Sequence, residues 1–156
     1  MEKEELIKEK TKTTEDFVNA IYQNIQTALQ SIDEILKLSE DEKFNKELYR
    51  EKELYEKLKE KLLDECLRIN INPKDNSFLE KARLYTSIKM TTISDKSTRH
   101  LAEMMLLGTV MGTTTCYKDV NDYKGINDNL YIILKELMHL EEDNFDKLRI
   151  FLREVK

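Results

Sequence analysis

The chain has 156 residues, a net charge of -5, and 37% charged residues against 40% apolar ones. That length encloses one hydrophobic core, and the apolar share is too high for a disordered chain. Lysine and arginine are scattered rather than gathered, which argues against nucleic acid; no basic amphipathic stripe argues for a membrane surface.

Three glycines and one proline leave few irregular loops, and the interleaved Glu and Lys read as solvated helix faces. No apolar run spans a bilayer, and the charged start, Met1-Glu2-Lys3-Glu4-Glu5, leads into no secretory signal, so the expected compartment is the cytoplasm. Cys66 and Cys116 have neither zinc-site nor redox-pair spacing and are expected to pack as small apolar residues.

In chain order, apolar residues recur in steps of three and four, the helical period. A first helix over 13–38 carries Phe17, Ile21, Ile25, Ala28, Ile32 and Ile35, with Thr13 or Thr14 as N-cap. Ser39 before Glu40, Asp41 and Glu42 reads as a break and a new cap. A second helix over 41–69 carries Phe44, Leu48, Tyr55, Leu58, Leu62, Cys66 and Ile69, and stops before Asn70-Ile71-Asn72-Pro73. A third amphipathic stretch covers 77–93. Whether it runs on into the next helix is open in the sequence, because Thr91, Thr92, Ser94, Asp95 and Ser97 weaken helix propensity.

The helix over 97–121 is apolar on nearly every side between Leu101 and Gly112, so it is buried all round or faces a partner. A turn at Tyr123-Lys124-Gly125 precedes the last helix, over 127–154, which carries Leu130, Leu134, Leu137, Phe145, Leu148, Leu152 and Val155. The four longer helices are comparable in length. These lengths predict an all-α, antiparallel four-helix bundle of one domain, with a helical crossover between the second and third bundle helices.

Asp95-Lys96-Ser97-Thr98, His100-Leu101-Ala102-Glu103-Met104, and Gly108 with Met111-Gly112 resemble an uncharacterised family of ferritin-like helical proteins from Gram-positive bacteria. The resemblance extends over the second to last helices. It implies a ferritin-like bundle and leaves function open, since the family carries no assigned activity.

Glu136-Leu137-Met138-His139 is an E-x-x-H, the ligand pair of di-iron carboxylate bundles. Such a site needs two of these pairs, and the chain has only two histidines. At about 100° per residue, His139 also projects away from the Leu130, Leu134 and Leu137 face. Both residues are expected at the surface.

A second cluster lies in core phase. Taking Leu101, Met104 and Met111 as the inward face, His100 points into the bundle. Glu47 and Glu51 fall within the apolar arc of the second helix, and Glu141 and Asn144 interrupt that of the last. The crossover topology brings these to one level, His100 beside Glu47 and Phe151. Three readings stay open: a solvent-accessible bundle end, a structural network such as His100 with Glu47, or a metal site. In the last, His100, Glu47, Glu51 and Glu141 bind iron, zinc or manganese, with Asn144 as polar partner.

No triad and no phosphate loop is present, so no catalytic constellation stands out. Gly108 and Gly112 share one side of their helix, with Met105, Leu106 and Val110 adding apolar surface. That side serves either close packing within the bundle or a homodimer seam. A small-ligand pocket lined by Met104 and Met111 is a further reading.

Overall fold

The structure, a computed structural model, describes the backbone of residues 2–75, 89–90 and 93–153, and side chains within these from Thr13 onward. Four α-helices account for most of them: α1 (Glu2–Leu38), α2 (Glu42–Ile69), α3 (Thr98–Asp122) and α4 (Asp128–Leu148). A 3-10 segment, Arg149–Arg153, extends α4. No strand occurs among the described residues.

Local chemistry sets the helix ends. The Asp41 carboxylate accepts the Phe44 N–H at 2.8 Å, so Asp41 rather than Ser39 caps α2. At the other end Asn70 takes the left-handed conformation (φ 59°), and the Asn70 and Ile71 amides donate back to carbonyls of the last turn. Ser97 caps α3 by accepting from His100 N–H, and Asn127 caps α4 by accepting from Leu130 N–H at 2.9 Å. The described residues at 93–97 are not helical, so α3 starts anew at its Ser97 cap. The helix expected over 77–93 lies mostly outside the described residues. No cap interrupts α1 at Thr13 or Thr14: the helix runs unbroken from Glu2.

The core is one apolar cluster fed by all four helices, with Phe17, Ile21, Ile25, Ile32 and Ile35 of α1 facing Phe44, Leu48 and Leu62 of α2. α1 packs on α2 and α3, and α4 packs on the same two helices. Named pairs fix the register. Asp33 bonds Lys52 at 2.8 Å and Lys59 sits over the Tyr22 ring. Lys61 bonds Glu136, and Arg50 reaches Asn144. Phe17 meets Tyr123 and Tyr131 edge to face at one end, and Phe44 meets Phe151 at the other.

Helix α3 corrects the expected phase. Its buried side is Leu101, Ala102, Met105, Leu106, Thr109, Cys116 and Asp119, while Met111 is 71% exposed and Met104 only partly buried. Met111 therefore lines no interior pocket with Met104. The reason lies in the sequence of α3: where almost every residue is apolar, contrast between faces is too small to orient the helix. The choice falls to what fits against α1 and α4. On α4, Phe145 is partly exposed rather than core, and Val155 lies outside the described residues.

Candidate functional site

A polar layer crosses the middle of this core, built from all four helices. Spacing of four on α2 stacks Glu47, Glu51 and Tyr55 along one side, and spacing of three on α4 sets Glu141 beside Asn144. Gly112 and Cys116 of α3 and Asn24 of α1 close it.

Glu141 is 1% exposed and sits where a side chain on α3 would otherwise be. A Cβ added at Gly112 would lie 2.0 Å from Glu141 Oε2 and 2.9 Å from its Cδ. Glycine at 112 is thus what admits the carboxyl. The Cys116 thiol donates to Glu141 Oε1 at 3.8 Å, and Asn24 Nδ2 donates to Gly112 O at 3.1 Å and to Cys116 Sγ at 3.3 Å. Burial pushes the Glu141 carboxyl up to about 8, with Cys116 and Asn24 offsetting part of the rise.

Glu51 is 0% exposed, and neither carboxyl oxygen has a hydrogen-bond donor among the described residues. Burial first, then the facing Glu47 carboxylate, raises it to about 9, against the opposing pull of Arg50. Glu47 pairs with Arg50, whose Nε and Nη2 donate to its two oxygens at 3.0 and 2.6 Å. Buried beside that carboxyl and with no donor of its own, Glu51 holds its proton at neutral pH. Arg50 Nη2 also donates to Asn144 Oδ1 at 3.0 Å. Tyr55, almost wholly buried, borders both Glu51 and Glu141, and its hydroxyl is held well above its ordinary range by burial.

The layer thus unites Glu47, Glu51, Glu141 and Asn144, and makes the last three interior groups rather than a wet bundle end. It leaves out His100. That side chain is 35% exposed in the first turn of α3, 3.9 Å from Glu103 Oε2, because the rotated phase of α3 turns it from the core. Arg50, not His100, partners Glu47. Among the described residues no group of three or more His, Cys, Asp or Glu is placed to hold a metal ion. Glu136 of the E-x-x-H bonds Lys61, and His139 is exposed. The thiols of Cys66 and Cys116 are both pushed up by burial, which disfavours their thiolate forms. Asn24, Arg50, Tyr55 and Cys116 are layer members that sequence reasoning missed. Asn24 left a signal, a lone amide beside Ile21 and Ile25 on the apolar stripe; Tyr55 and Cys116 read simply as core.

The other unusual surface is the outer side of α3. Residues 104–117 carry no charge. Leu107 is 62% exposed beside Met111, and Val110 and Tyr117 are also exposed. Gly108 is exposed with open space around it, whereas Met105 and Leu106 are buried in the bundle and Gly112 lies against Glu141. The expected seam of Met105, Leu106, Gly108 and Gly112 therefore divides: only Gly108 belongs to the outer face. An open groove between α3 and α4, lined by Val110, Thr114, Tyr117, Glu142 and Phe145, adjoins this face. No helix is long and apolar enough to cross a membrane among the described residues. No protein-family model, curated protein or solved structure matches the chain.

Proposed function

We propose that the chain is a non-catalytic, ferritin-like helical bundle of the cytoplasm that works through self-association, as a homodimer. The observation that carries this reading is the uncharged outer side of α3, exposed in a chain more than a third of whose residues are charged. Contiguous exposed apolar surface of this kind marks an interaction site. A patch that meets its own copy must be self-complementary, and an uncharged one avoids like-charge repulsion between copies of net charge -5.

Support for the ferritin-like arrangement comes from the register of the pairs. Asp33 with Lys52 and Tyr22 with Lys59 run in opposite senses along α1 and α2. The same holds for Arg50–Asn144 and Lys61–Glu136 across α2 and α4, and for Cys116–Glu141 and Tyr123–Tyr131 across α3 and α4. Opposite senses to α4 in both cases leave α2 and α3 parallel. Parallel helices that follow one another in the chain, here on the diagonal of the bundle, need a connection that travels its length, as the crossover of a ferritin-like bundle does.

Sedimentation velocity over a range of concentrations tests the function: a reversible dimer is expected, weakened by Met111→Glu, and a strict monomer at high concentration refutes it. A second reading, a bundle binding iron, zinc or manganese, draws on the unpartnered Glu51 carboxyl, which a cation would neutralise in place of a proton. Elemental analysis of protein purified without chelator separates the two, since metal retained by the wild type and lost in Glu51→Gln favours the second.

A further inference from the structure

Resting on the self-association reading, we propose that a second copy docks on α3 antiparallel, about a two-fold axis beside Gly112, with Leu107 of each copy seated against Tyr117 and Phe145 of the other. Exposed residues of α3 recur as Glu103, Leu107, Val110, Thr114, Tyr117 and Asn121, all on the solvent side. Steps of four and three in alternation are the spacing of a helix–helix seam. About position 112 these six map onto one another: Glu103 opposes Asn121, Leu107 opposes Tyr117, and Val110 opposes Thr114.

Charge fixes the direction. In a parallel, in-register pair Glu103 would face its own copy. In the antiparallel pair it faces Asn121 of the other subunit, with the exposed Lys118 about one helical turn away and nearer the seam than the exposed Asp122. The groove supplies the socket. Tyr117 is anchored by donating its hydroxyl to Glu142, which leaves its ring and the half-exposed Phe145 as a wall for an incoming aliphatic side chain. Leu107 is the large apolar residue that the two-fold brings there. Residues 104–117 of α3 bring no charge to the centre of this face; the acidic groups at the socket, Glu142 and Asp146, come from α4, and Glu142 accepts from the Tyr117 hydroxyl.

Cysteine pairing tests the geometry. Leu107→Cys and Tyr117→Cys variants carrying different tags are mixed and oxidised, with the wild type as control for the buried Cys66 and Cys116. The expected result is a disulfide between the two variants, formed about tenfold more than either forms with itself, because only opposed positions bring Cβ atoms into bonding range. A second measurement guards against a cysteine weakening the contact: Glu103→Lys should weaken dimerisation, and Glu103→Lys with Lys118→Glu should restore it. If the wild type dimerises while Leu107→Cys couples to itself as readily as to Tyr117→Cys, this seam is overturned and self-association stands. The seam is overturned in the same way if the double charge swap fails to rescue. A monomeric wild type overturns both.

Discussion

Gly112→Ala isolates the close approach on which the polar layer depends. At an ordinary helix interior the change stabilises by about 1 kcal/mol, since alanine has the better helix propensity. Here the new methyl would stand 2.0 Å from Glu141 Oε2, 2.9 Å from its Cδ and 3.0 Å from Asn24 Oδ1. The Glu141 carboxyl is the end of a flexible side chain, but α1, α2 and α3 enclose it, so moving it disturbs Cys116, Asn24 and Tyr55 together. Overpacking of that kind costs about 1 to 3 kcal/mol. Set against the propensity gain, the net loss is about 0 to 2 kcal/mol, or up to about 8 °C in Tm for a chain of this length. Thermal denaturation of Gly112→Ala in the wild-type and Glu141→Ala backgrounds completes a double-mutant cycle. Removing the carboxyl leaves only the Asn24 contact, so the substitution should become neutral or stabilising there. A rise in Tm in the wild-type background, or the same shift in both, refutes the account of why glycine stands at 112.

Two further outcomes concern the same layer and a third the E-x-x-H of α4. Glu51 and Glu141 have folded-state pKa values of about 9 and about 8 against an ordinary 4.5, so the folded state binds more protons than the unfolded one between these limits. Their contribution is complete below about 4.5 and is lost as pH rises to 8–9, by up to about 1.4 kcal/mol per pH unit for each carboxyl. Tm should fall between pH 6 and 9, and Glu51→Gln should flatten the slope; a wild-type profile as flat as the variant's counts against a buried neutral Glu51. Arg50→Ala leaves Glu47 beside Glu51 without its cation and should cost about 2 to 4 kcal/mol in urea titration, well beyond the effect of an exposed ion pair. His139→Ala and Glu136→Ala should each shift stability by about 0.5 kcal/mol or less, because His139 is exposed and Glu136 makes only a solvent-exposed ion pair with Lys61; a large loss of stability in either would move the E-x-x-H back inside.

The core of α1 was legible from Phe17, Ile21, Ile25, Ile32 and Ile35 because each step of three or four returns to one side of a helix and charged residues fill the other. The same contrast placed Glu51, Glu141 and Asn144 inside and turned Glu136 and His139 outward. On α3 the contrast fails. Leu101 to Gly112 are nearly all apolar, so the period carries almost no information about rotation, and the assumed phase brought His100 inward and Met111 into the core.

By itself, then, the sequence determined that the segments of α1 from Thr13 onward, α2, α3 and α4 are helical, where α2 stops and α4 is capped, and which sides of α1, α2 and α4 lie inward. These depend on interactions within a few residues, or on polar contrast around one helix. Only the tertiary structure decided the rotation of α3, the partners of the buried carboxyls and the exposure of Leu107 and Met111. Those turn on shape at contacts between helices distant in sequence: a glycine on α3 leaves room for a carboxyl from α4, and that fit outweighs the small differences among apolar faces.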